Sequence, residues 1–110
     1  MRKAAAITGG LLTGILLAQA PAGTAANGKR LFEQFGCYTC HGWQGQGSAA
    51  GPRIAPRPIA AAALIAYVRK PSGQMPPFTD KVISDAQLTD IRAYLASLPE
   101  PAKDIPLLKQ

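Results

Sequence analysis

Both cysteines of this 110-residue chain and its single histidine fall within five consecutive residues, Cys37-Tyr38-Thr39-Cys40-His41. Few chemistries use such a cluster. A structural zinc site wants four Cys or His ligands, and the chain holds three in all. A redox-active Cys-x-x-Cys pair belongs near a βαβ pattern, yet no β-branched run resembling a buried strand precedes residue 37. A disulfide closing so short a loop stabilises little and gives His41 no role. The remaining reading is covalent haem attachment. Cys37 and Cys40 each form a thioether to a haem vinyl group, and His41 binds the iron from the proximal side. Once two sulfurs are fixed to one edge of the porphyrin, a histidine directly after the second cysteine lies under the metal.

The N-terminus reads as an address. Arg2 and Lys3 precede an uncharged run from Ala4 to Ala18, richest in apolar side chains at Leu11, Leu12, Ile15, Leu16 and Leu17. A bilayer-spanning helix needs about 20 apolar residues; this run is shorter and interrupted by Thr8, Gly9, Gly10, Thr13 and Gly14. It matches a signal peptide. Ala18-Gln19-Ala20 fits a cleavage pattern but sets Pro21 beside the scissile bond, whereas Gly23-Thr24-Ala25 and Thr24-Ala25-Ala26 serve as well. Residues 1–26 are therefore expected to be removed, with cleavage near Ala26 and delivery to the periplasm. The competing readings are an uncleaved membrane anchor and a buried N-terminal helix.

Removal of residues 1–26 leaves 84 residues, takes Lys plus Arg from 12 to 10, retains all six acids and lowers the formal charge from +6 to +4. Two ionised haem propionates bring it to about +2, so the charge no longer argues for a nucleic-acid partner. A chain near 80 residues rarely draws more than about 3–5 kcal/mol from one core, and this one is only 6% aromatic. The apolar face of a haem supplies what the side chains lack.

The chain resembles the class I cytochrome c family over nearly all of residues 27–99. The resemblance is carried by Gly28-Lys29-Arg30-Leu31-Phe32 ahead of the Cys37–His41 motif, by Gly51-Pro52, by Gly73-Gln74-Met75-Pro76, and by a last helix with Tyr94-Leu95. It implies an all-α fold of three to four helices wrapped around one covalently attached haem c. In the family, a small residue on the first helix lets it cross closely over the last, and Gly28 against Tyr94 looks like that pair. The resemblance further implies that the Pro52 carbonyl accepts the imidazole N–H of His41, and that Met75 brings its thioether sulfur to the distal face of the iron. Cofactor-binding residues are thus expected at Cys37, Cys40, His41, Pro52 and Met75, with His41 and Met75 on the metal.

Asn27 is expected to cap a first helix running to about Glu33, with Leu31, Phe32 and Phe35 as its apolar stripe. A middle helix is expected from about Pro58 to Arg69, burying Ile59, Leu64, Ile65 and Val68, with the Ala60–Ala63 run against the flat haem. The last helix has the fullest signature. Ser84 and Gln87 form a capping box, Ile83 and Leu88 a hydrophobic staple, and Leu88, Ile91, Leu95 and Leu98 recur at spacings of three and four before Pro99 ends the run. Gly45-Gln46-Gly47 with Gly51 fails the dinucleotide-binding spacing and follows no strand. Trp43 either covers a haem edge or packs beneath this loop; Tyr67 either reaches a propionate or lies near Met75. Residues 100–110 form an extended, proline-rich tail that docks on a partner subunit or folds back on the domain.

Met/His ligation fills both axial positions and suits electron transfer. The expected activity is that of a one-electron carrier between redox proteins, with a periplasmic dehydrogenase or terminal oxidase as donor or acceptor, and not that of an enzyme. It is not membrane-spanning once the leader is cleaved. A haem-binding subunit of a larger dehydrogenase is the alternative, and a peroxidase or gas sensor would need Met75 to be displaceable. Arg53, Arg57, Arg69, Lys70 and Lys81 fall in segments expected around the haem crevice, while Asp85, Asp90 and Glu100 come later. Such clustering either steers an acidic partner or simply keeps a small protein soluble.

Overall fold

The computed structural model describes residues 4–6, 9–10 and 23–101. Most of the expected leader and the tail from residue 102 lie outside the described residues. Within them the chain forms four helices, α1 (Ala25–Gln34), α2 (Tyr38–His41), α3 (Ala61–Arg69) and α4 (Asp85–Ser97), and no strand. The fold is all-α, as the resemblance implied, with an isolated bridge between Ser48 and Gly51 as its only β pairing among the described residues.

Helix α4 is built as its sequence reads. The Gln87 N–H donates to Ser84 Oγ at 3.1 Å while the Ser84 N–H donates to Gln87 Oε1 at 2.9 Å, satisfying two donors that the first turn would otherwise leave unpaired. Ile83 and Leu88 are both buried beside this cap. Leu88, Ile91, Tyr94 and Leu95 then bury one face of the helix.

Helix α1 crosses that face. A Cβ built on Gly28 would stand 1.9 Å from the Asp90 carbonyl oxygen and 2.9 Å from Tyr94 Cβ, so only a glycine permits the two backbones this approach. Leu31 and Phe32 are fully buried in the same interface, and the Phe32 and Tyr94 rings meet tilted at 5.5 Å between centroids, a spacing suited to edge-to-face contact.

Two helix starts differ from expectation. The α1 cap is Thr24, not Asn27, and its side chain makes no cap bond. What holds this end is Asp90: the Thr24 N–H donates to Asp90 Oδ1 at 2.8 Å, and the Asn27 amide, inside the helix, donates to Asp90 Oδ2 at 2.6 Å. Helix α3 begins at Ala61 and not at Pro58, because the Ile59 carbonyl is taken by Arg92 Nε of α4 at 2.7 Å and the first helical bond runs from Leu64 N–H to the Ala60 carbonyl. Ile59, expected on the buried face, therefore lies outside the helix and is exposed, whereas Val68 is buried.

The Asn27 amide, followed by the Thr24 N–H, holds the Asp90 carboxyl below its ordinary range. A depressed folded-state value means that this contribution to stability is present above the unfolded-chain value, about 3.9, and is lost as pH falls through the folded-state value. Asp90→Ala is thus expected to lower the melting temperature at pH 7, with the gap from wild type closing below about pH 4; thermal melts across pH 3–7 check this, and a gap that did not close would assign the loss to packing alone.

Candidate functional site

The last turn of α1 delivers the Cys-x-x-Cys-His segment. Past Gly36, the Cys37 N–H returns to the Phe32 carbonyl at 3.1 Å, and Thr39 Oγ1 donates to the Gly36 carbonyl at 2.6 Å. Helix α2 then winds the segment into one turn, with the His41 N–H on the Cys37 carbonyl at 3.0 Å. The two thiols are unpaired. Burial pushes the Cys37 thiol up to about 11, the reverse of the lowered value that a redox-active Cys-x-x-Cys pair requires.

His41 Nδ1 lies 2.7 Å from the Pro52 carbonyl oxygen. A carbonyl only accepts, so Nδ1 carries the hydrogen and Nε2 keeps the lone pair that a metal would use. The neighbouring strap sets this contact. Ser48 Oγ donates to the Cys40 carbonyl at 2.6 Å and accepts the Ala50 N–H at 3.0 Å. The Gly47 N–H donates to the His41 carbonyl at 2.8 Å. Gly51 passes so close that a Cβ there would stand 2.9 Å from the Cys40 carbonyl oxygen.

These groups open onto a cavity of about 660 Å³ lined by Cys37, Cys40, His41 and Pro52, and also by Met75 from the segment between α3 and α4. All five residues singled out from the sequence thus meet on one cavity, 38 positions separating Cys37 from Met75. Its walls include Phe32 of α1, Leu64 and Val68 of α3, and Leu88, Ile91 and Leu95 of α4. A family model described as cytochrome C oxidase, cbb3-type, subunit III matches residues 23–95. The chain belongs to the class I c-type cytochromes. No curated protein and no solved structure matches it significantly.

A c-type cytochrome domain implies a covalent haem c with its iron, and the residues of this cytochrome fit that group. Two thiols, one imidazole with a free Nε2 and one thioether share a cavity whose other walls are largely apolar, and imidazole and thioether are both established haem-iron ligands.

Other expectations are redistributed. The Ala60–Ala63 run does not line the cavity; α3 turns Leu64, Tyr67 and Val68 to it instead. Trp43 stacks on Tyr38 with ring centroids 3.9 Å apart and is 59% exposed, while its carbonyl accepts Tyr94 Oη at 3.2 Å. Tyr67 Oη donates to the Ser72 carbonyl at 3.0 Å. The cations and acids that lie apart in sequence are paired in space. Arg53 and Arg57 both reach Glu100, and Arg69 reaches Asp85; among the described residues Lys70 and Lys81 form no ion pair. Neither the role of Ser48 in the strap nor that of Asp90 as the anchor of α1 is among the expectations drawn from the sequence. Asp90 had a visible signal, since it lies four residues before Tyr94 on the face that meets α1. Ser48 had none, because its partner is a backbone carbonyl eight residues away.

Gly51→Ala forces the strap away from the Cys40 carbonyl and is expected to cost about 1–3 kcal/mol of stability in the haem-loaded protein, the usual range for overpacking. Guanidinium unfolding followed by haem absorbance and helical signal measures it. An unchanged midpoint would mean that the strap yields freely.

Proposed function

We propose that this cytochrome is an exported, single-haem, one-electron carrier between redox proteins, with His41 and Met75 as iron ligands and a cleaved leader that sends it to the periplasm; the Thr24 cap of α1 and its bond to Asp90 favour a leader that ends before Thr24, at Ala18-Gln19-Ala20, over one that ends near Ala26. The observation that carries the reading is the convergence of Cys37, Cys40, His41 and Met75 on one cavity. A haem c bound there supplies an Fe(III)/Fe(II) couple. Cys37 and Cys40 would hold it by thioethers. The Pro52 carbonyl fixes the His41 ring and its tautomer, which raises the basicity of Nε2. Met75 would supply the second iron ligand from the segment between α3 and α4, and two protein ligands on the iron would favour electron transfer over oxygen chemistry. Phe32, Val68 and Leu95 line the cavity with apolar surface, which would limit solvent access to the group held there.

Export is supported by the charged start and short apolar run of residues 1–18. No helix among the described residues is long and apolar enough to cross a membrane. A second reading, a haem-bearing subunit of a larger oxidoreductase, is favoured by the description of the matching family, which names an oxidase subunit. Native electrophoresis of a periplasmic extract stained for haem separates the two: a carrier migrates as a small protein, a subunit with its complex.

A pyridine haemochrome spectrum is expected to give one haem c per chain, and N-terminal sequencing of the mature protein to begin after residue 20. Met75→Ala is expected to abolish the far-red sulfur-to-iron charge-transfer band of the ferric form, to lower the reduction potential by on the order of 0.1 V or more, and to let cyanide bind rapidly. A wild-type protein that already lacked the band and bound cyanide rapidly would instead favour a peroxidase or gas sensor.

A further inference from the structure

The segment that carries Met75 leaves α3 at Arg69 and comes back against it at Phe78. Its interior is sparsely tied: among the described residues no backbone hydrogen bond involves residues 73–77. What locates it is a set of bonds at its two ends. At entry, Tyr67 Oη donates to the Ser72 carbonyl. At exit, the Phe78 N–H donates to the Val68 carbonyl at 3.0 Å, and Arg69 Nη1 donates to the Phe78 carbonyl at 3.0 Å. The other arm of the same guanidinium, Nη2, lies 2.6 Å from Asp85 Oδ1 in the first turn of α4. The Arg69 side chain is 22% exposed and its bond to the Phe78 carbonyl is partly buried, whereas the Asp85 side chain is 67% exposed, so the Phe78 arm is the firmer of the two. One planar fork thereby joins α3, the exit of the Met75 segment and the start of α4.

We propose that Arg69 is the positioning residue for Met75, its fork setting how firmly the thioether is held at the iron; this rests on the reading of Met75 as the sixth ligand. The physical basis is geometric. A ligand on a segment with few internal bonds is presented by whatever fixes the segment's ends, and a guanidinium can satisfy a carbonyl and a carboxylate at once where an ammonium cannot hold both in a fixed fork. Removing the fork leaves the Phe78 carbonyl without its donor, so that the Phe78 N–H bond to the Val68 carbonyl alone holds the exit of the segment. Met75 then leaves the iron more readily, and an external ligand takes its place.

The test uses the haem-loaded protein and imidazole as the competing ligand. Arg69→Gln is expected to raise the affinity of the ferric form for imidazole about tenfold, the scale of one lost charge-assisted hydrogen bond, and to weaken the charge-transfer band. Arg69→Lys should retain most of that change, and Asp85→Asn should show a smaller one because the Phe78 bond survives. Asp90→Ala is the control for stability at large, since it loosens the α1 anchor and touches no part of the Met75 segment; imidazole affinity there is expected to stay at the wild-type value. The proposal is overturned if Arg69→Gln binds imidazole as wild type does, or if Asp90→Ala loosens Met75 as much for the same loss of stability. Should Arg69→Gln fail to accumulate as holoprotein, Asp85→Asn decides in its place, and wild-type affinity in that variant overturns the proposal. Absence of the charge-transfer band from the wild-type protein would overturn the assignment of Met75 itself, an outcome distinct from any difference among the variants.

Discussion

The close crossing of α1 over α4 governs where everything else can sit. At Gly28 the two backbones approach to a distance that no side chain would allow, and Asp90 on α4 receives two donors from the start of α1. The consequence reaches the site within a few residues. Helix α1 runs directly into Cys37, so its angle on α4 fixes where the Cys-x-x-Cys-His turn lies. The neighbouring face of α4 supplies Leu88, Ile91 and Leu95 to the cavity wall. Frame and cavity therefore share α1 and α4, while the polar anchor at Asp90 lies in the frame and not on the cavity wall.

Around that frame the irregular segments that line the cavity are held by bonds to backbone carbonyls more than by packing. Ser48 holds Cys40, Pro52 holds His41, Tyr67 holds Ser72 and Arg69 holds Phe78. Such bonds suit a protein with a small side-chain core. Among the described residues the buried hydrophobic side chains number nine, with Phe32 and Tyr94 as the only aromatics, too few to position two irregular segments by shape alone. Irregular chain must satisfy its polar groups somewhere, and here the groups that do so also orient the cavity lining. The same economy explains why the loop past His41 is rich in glycine: close approach of backbone to backbone substitutes for the contacts that larger side chains would make.

Local patterns were the readable part of the sequence. The capping box and staple of α4, Gly28 as a crossing point, and the site residues Cys37, Cys40 and His41 all depend on neighbours within a few positions or on a motif, and each can be located without knowing the fold. The start of α3 was not readable, because Arg92 intercepts the Ile59 carbonyl from 33 residues away and shifts the helix three residues later than Pro58 suggests. Asn27 has the composition of a cap, yet Asp90 draws it into the helix as a donor. The Ala60–Ala63 run looked suited to a flat partner by size, but the register of α3, set by burial of Val68, turns Leu64 and Tyr67 to the cavity instead. In each case a long-range polar contact or the register of packing overrode a sound local preference.

Charge shows most clearly why order along the chain is a poor guide to the surface. Arg53, Arg57 and Arg69 come before Asp85 and Glu100 in sequence and suggest a basic half and an acidic half, but folding brings Glu100 between Arg53 and Arg57 and sets Asp85 on Arg69. Glu100 follows the end of α4, so this pairing also ties the chain past Pro99 to the segment that begins at Pro52. The exposed pairs contribute little to stability singly, because solvent screens them and ordering two long side chains costs entropy. Their effect is on the field outside the molecule. Three of the five cations expected near the cavity are matched by carboxylates within 3 Å, and two of them share a single acid. Of those five, Lys70 and Lys81, which bracket the Met75 segment, stay outside any ion pair among the described residues, with Asp80 beside Lys81 in sequence, and one charge is left over in the Arg53–Glu100–Arg57 trio. A partner guided by electrostatics would sense these places and not the sum of the sequence, and such guidance would fall with ionic strength over a Debye length of about 8–10 Å.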